Sequence, residues 1–184
     1  MKRITFPAFL LCLLFCLCSC APKPPEEEAP PPPYKGYFTQ ERVTEIEQYE
    51  KEAYTDFYKA ATAEAVIPGL TQGFIPQGMD FSAKRSAFFI SGYFKSKTQS
   101  PSSVLFAVSK KSGALIGAYE LQKPDGSYLT GHVGGVAVTE KNVFIADGGK
   151  LYRFPLSDID RLGQSGPLLA AEAIPTPTSA SFCN

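Results

Sequence analysis

Few residues in this chain stand in the patterns that chemistry needs. It carries one histidine, His132, and five cysteines: Cys12, Cys16, Cys18 and Cys20 crowd one N-terminal stretch, and Cys183 stands alone at the far end. A zinc site draws several Cys and His side chains together at short spacings, and a lone imidazole has no such partner here. Nor is this a disulfide framework, which spreads paired cysteines through a small domain. The acidic runs DGSY at 125–128 and DIDRLG at 158–163 lack the ligand spacing of an EF-hand loop. There is no nucleophile elbow and no phosphate-binding glycine loop. Asp147, in ADGGK, reads first as a turn residue before two glycines. The residues alone therefore point to no catalytic group, no metal ligand and no cofactor. The 18 basic residues equal the 18 acidic ones, so nothing marks a nucleic-acid partner.

One cysteine does have a clear chemical context. The stretch MKRITFPAFLLCLLFCLCSC opens with Lys2 and Arg3 and continues into an apolar run, the layout of a secretory signal over residues 1–19. That run is too short for a comfortable transmembrane helix. Its end, Leu17-Cys18-Ser19-Cys20, resembles the bacterial lipobox. The resemblance implies cleavage before Cys20, lipidation of Cys20, and anchoring at the extracytoplasmic side of a cell membrane or envelope. Two or three acyl chains hold a protein stably where one alone is marginal.

The elements that follow fall into three kinds. Residues 20–38 are rich in Pro and Glu and poor in core-forming residues, which predicts a disordered, semi-rigid tether. From Thr39 to Ile67, Val43, Ile46, Tyr49, Ala53, Phe57, Ala61 and Ala65 recur at three- and four-residue steps, predicting one amphipathic helix over 39–67. Pro68-Gly69 ends it. From Gly73 onward the segments are short, rich in Val, Ile, Phe and Tyr, and bounded by turn residues, which predicts strands.

Those strands come twice. GMDFS at 78–82 matches GVAVT at 135–139, and AFFIS at 87–91 matches NVFIAD at 142–147. VLFAVS at 104–109 matches KLYRFP at 150–155, and GALIGAYEL at 113–121 matches GPLLAAEAI at 166–174. Four strands in one order, repeated after about 50 residues, is the pattern of β-propeller blades. The fold expected is mainly β, with four-stranded blades of an incomplete propeller at 73–130 and 131–177, and the start of a truncated third blade at 178–184. Apolar residues such as Phe88, Phe89, Phe106, Val143, Phe144 and Tyr152 would then face neighbouring blades, and open blade faces would favour self-association. One ordinary antiparallel sandwich is the competing architecture.

PQGMDFS, SGALIGAYEL, GHVGGVAV and IADGGKLYRFPL make residues 73–184 resemble the secreted propellers of the strictosidine synthase, gluconolactonase and NHL-repeat type. These are blade motifs rather than catalytic ones. The resemblance implies that a ligand would sit near the central channel, against polar residues at the ends of the innermost strands. The matching positions are Gln77 before the first inner strand, His132 before the second, and Asp147 at the end of the strand that follows. Asp80 lies within the first inner strand. Calcium or another divalent metal would be expected only in a full-length propeller, whose ligands come from several blades. The function expected is a lipid-anchored binding or scaffolding module for an unknown extracytoplasmic ligand or protein. A truncated metal-dependent lactonase or hydrolase, and a short propeller closed by homo-oligomerisation, are the alternatives.

Overall fold

Short apolar segments separated by Gly, Pro and Asp turns cannot form long helices, and the chain is mainly β. The computed structural model describes residues 32, 34–41, 53–60, 65–95, 102–177 and 179, and arranges them in two sheets with few helices. In the first sheet β1 (Phe74–Ser82), β2 (Ala87–Phe94), β3 (Val104–Ser109) and β4 (Leu115–Gln122) run antiparallel in sequence order. In the second, β5 (Val136–Val138), β6 (Asn142–Asp147), β7 (Lys150–Pro155) and β9 (Glu172–Pro175) do the same. One strand crosses over: β8 (Ser165–Leu169) lies parallel to β4 and makes the first sheet five-stranded. It is reached through the helix α2 (Leu156–Leu162), whose Leu156 and Ile159 are buried and which Gly163 ends.

The period-two alternation of each strand decides which core a side chain joins. Phe89, Leu105 and Leu121 from the first sheet meet Val143, Ile145 and Phe154 from the second in a core between the sheets. Their neighbours Ile90, Phe94, Val104, Phe106 and Val108 point the other way and form a second core on the outer face of the first sheet. That face is closed by the N-terminal segment. Phe38 stacks on Phe94 at 5.3 Å between ring centroids and meets Phe106 edge-on at 5.2 Å. Gln40 pins the segment through three hydrogen bonds: its amide donates to the carbonyls of Val66 at 2.7 Å and Gly113 at 2.8 Å, and its oxygen accepts from Leu115 N–H at 2.5 Å.

The two sheets come closest along β1 and β5. A Cβ on Gly78 would lie 2.6 Å from Gly135 Cα and 2.7 Å from Val136 N, so only glycine lets the two backbones approach this far. Polar groups stitch the seam. Asp80 accepts from Val138 N–H at 2.6 Å, and the buried Ser91 hydroxyl donates to the Gly134 carbonyl at 2.8 Å.

Several expectations need correction. The tether of 20–38 does not stay free to its end, because aromatic side chains in YKGYF find a core: Phe38 is buried and Tyr34 packs against the same cluster. Within the helix expected at 39–67, residues 39–41 and 65–67 are not helical, since Thr39 and Gln40 are drawn into the hydrogen bonds of that segment. Its described helical residues form α1 (Thr55–Ala60), where Phe57 is exposed. The single strand expected at 166–174 is two strands in different sheets. Of the six apolar residues expected to face a neighbouring blade, Phe89, Phe106, Val143 and Tyr152 are already buried, and Phe88 and Phe144 are half-buried. The signal at 1–19, Cys20 and nearly all of 178–184 lie outside the described residues.

Candidate functional site

The three residues singled out at inner-strand ends fall at one end of the seam. Gln77 is the extra residue of a β-bulge: Pro76 pairs with Gly92 and Gly78 with Ser91, so Gln77 has no partner in the ladder. A bulge re-aims a side chain away from the sheet's regular pattern. Gln77 is exposed, and its amide donates to the neighbouring Pro76 carbonyl at 3.1 Å.

His132 lies in the loop leading into β5. Its imidazole stacks face to face on Tyr93, at the end of β2, with centroids 4.1 Å apart and planes 6° from parallel. The histidine comes from the second copy of the repeat and the tyrosine from the first, so the pair bridges the two sheets. The His132 side of the stack is exposed and the Tyr93 side half-buried, which makes a flat platform open to solvent.

Asp147 ends β6 close by. Its carboxylate sits against Gly131, where a Cβ would lie 2.7 Å from Oδ1. The missing side chain at Gly131 is what makes room for the acid. Burial pushes the Asp147 carboxyl above the ordinary aspartate range, while the charges of Lys123 and His132 pull it back. No donor among the described residues hydrogen-bonds to its oxygens. A half-buried carboxylate with unused acceptor capacity is costly to hold unless something supplies donors. The loop itself is held from below, where Ser103 donates its hydroxyl to the Gly131 carbonyl at 2.8 Å.

His132 and Asp147 are thus brought together, and Gln77 lies along the same seam. Asp80 is absorbed by structure: both its oxygens accept backbone N–H groups, from Phe81 and Val138. Tyr93 and Lys123 complete the site and were not singled out from sequence. Tyr93 was within reach, because the second strand of each copy ends at the same level and Tyr93 stands in the first copy near where Asp147 stands in the second. Lys123 had no signal, since it follows β4 and joins the site only through the packing of the two sheets. Among the described residues no group of three or more His, Cys, Asp and Glu side chains is placed to hold a metal ion. The arrangement offers a stacking surface, a hydrogen-bond acceptor and a nearby cation, which suits recognition. Comparison of the chain with protein-family models, curated proteins and solved structures gave no match in any of the three.

Proposed function

We propose that this chain is a β-propeller-like binding module, held by lipid on Cys20 at the extracytoplasmic side of a membrane. Its ligand bears a ring face and hydroxyl or amine donors. The observation that carries the recognition half is the His132–Tyr93 stack beside the donor-starved carboxylate of Asp147. A ring laid on the exposed imidazole would put its donors within reach of that acid. The propeller-like half is supported by two antiparallel meanders face to face, closest at their first strands and joined there backbone to backbone. The anchor rests on the lipobox-like Leu17-Cys18-Ser19-Cys20.

The two halves are tested separately. Metabolic labelling with a fatty acid should mark the wild type and not Cys20→Ser; equal labelling of both, or of neither, removes the anchor. His132 is the only histidine, so its imidazole resonances are a single clean reporter. Titration with a panel of hexoses and amino sugars should shift those resonances in the wild type and far less in Tyr93→Ala and Asp147→Asn. Shifts of the same size in all three proteins, or in none across the panel, dispose of this site.

A further inference from the structure

Beside α2 there is a cavity of about 520 Å³. That is within the ordinary range of small-molecule sites. Its floor is the first sheet's inward face, with Phe89, Ala107 and Ile116, and Ile159 of α2 supplies an opposing apolar wall. Tyr119 lines it with its hydroxyl already committed, donating to the Gly163 carbonyl at 2.5 Å. Gln164 donates to the Pro32 carbonyl at 2.9 Å, so Pro32 forms part of the rim.

The polar lining is unbalanced. Lys84 and Arg85, from the β1–β2 turn, face one carboxylate, Asp160. Arg85 Nη2 takes that carboxylate at 2.7 Å. Arg85 Nη1 is buried and has no hydrogen-bond partner among the described residues, and Lys84 has no carboxylate partner among them. Guanidinium presents its donors in a rigid fork, so a second acceptor beside Nη1 completes geometry already set by the first. A buried donor without an acceptor asks for an explanation in a folded protein, and a turn of the Arg85 side chain toward the cavity would let an arriving anion supply one.

We infer that this cavity is a second binding site, separate from the inner-strand site, and that it takes a small carboxylate with an apolar body. The carboxylate lies against Arg85 and Lys84, and the apolar body lies over Phe89, Ala107 and Ile116. The apolar floor excludes a bare inorganic anion as the preferred occupant, because it would bury the floor against nothing. The excess of positive charge excludes the corresponding amine.

Calorimetric titration of the full chain with octanoate, octanol and octylammonium is the test. Octanoate should bind once per chain, at least about tenfold tighter than octanol, and octylammonium should not bind. Raising the salt should weaken octanoate and leave octanol unchanged. Ile116→Trp, which fills the floor, should abolish binding. Lys84→Gln, a change at an exposed position that leaves the core intact, should weaken octanoate about tenfold and spare octanol. Equal affinity for octanoate and octanol, octanoate binding that Lys84→Gln leaves unaltered, or no binding at millimolar octanoate overturns the inference.

Discussion

The two sheets are built from nearly the same strands, yet they are held differently. The first is covered on both faces, by the second sheet on one side and by Phe38, Tyr34 and Ile67 on the other. The second contributes one face to the shared core. Its other face carries Ala137, Phe144, Leu151 and Ile174 at intermediate exposure around an Arg153–Glu172 ion pair at 3.2 Å, and no core cluster forms there among the described residues. The two sheets therefore differ in what lies against their outer faces. On the first sheet the chain's own N-terminal segment supplies that cover.

The largest test of that difference is a pair of truncations. Phe106→Ala, at a fully buried position between Phe38 and Phe74, should cost about 3–5 kcal/mol in urea unfolding. Leu151→Ala, on the far face of the second sheet, should cost under about 1.5 kcal/mol. Similar losses at the two positions would mean that both outer faces are equally covered.

A smaller effect belongs to Tyr119 on the first sheet. Burial, with a lesser contribution from the charge of Asp160, pushes its phenol from 10.0 up to about 12. The folded value lies above the unfolded one, so Tyr119 contributes stability that is fully present below pH 10.0 and is lost as pH rises through about 12. Tyr119→Phe should cost about 1 kcal/mol at neutral pH, from the lost bond to Gly163, and should flatten the alkaline decline. An unchanged alkaline limb in the variant would show that the phenol does not drive it.

The smallest effect, and the one that bears on the second sheet, concerns Asp147. Its carboxyl is raised in the folded state, so the protonated form is favoured there, and stability is lost as pH climbs through the aspartate range. Asp147→Asn should then be more stable than wild type at neutral pH and gain nothing in acid. Direction is the readout, because the group is only partly buried. If the variant is less stable at pH 7, the carboxylate is making favourable contacts in the folded chain and the site is not waiting for donors.

What the sequence made legible follows from where its signals are local. Alternation and turn residues are local, and the pairing of Phe89-Ile90 with Phe144-Ile145 as equivalent strand positions holds in the ladders. Edge choice is not local. Nothing in GPLLAAEAI says that its first half joins a different sheet from its second, since an edge strand is selected by which open edge lies nearby. The helical period over 39–67 was real in the residues but competed with tertiary contacts. Gln40 gains three hydrogen bonds by leaving the helix, more than one residue's propensity is worth. The candidate site was half visible. His132 and Asp147 stand out by type, whereas Lys123 and the Gly131 vacancy that seats Asp147 appear only once the sheets are packed.

The crossover strand has a consequence for how such a chain is made and inherited. Ala170 N–H bonds to Gln122 in the first sheet at 2.9 Å, and the next residue, Ala171, bonds to Arg153 in the second, also at 2.9 Å. Two consecutive peptide units thus serve two sheets. On the ribosome, the edge of β4 stays bare until most of the second sheet has been synthesised, and only then does β8 arrive to pair with it. A gene segment ending between the copies, near residue 130, would encode the first sheet without its fifth strand. The first sheet is therefore completed only by chain that lies beyond the start of the second.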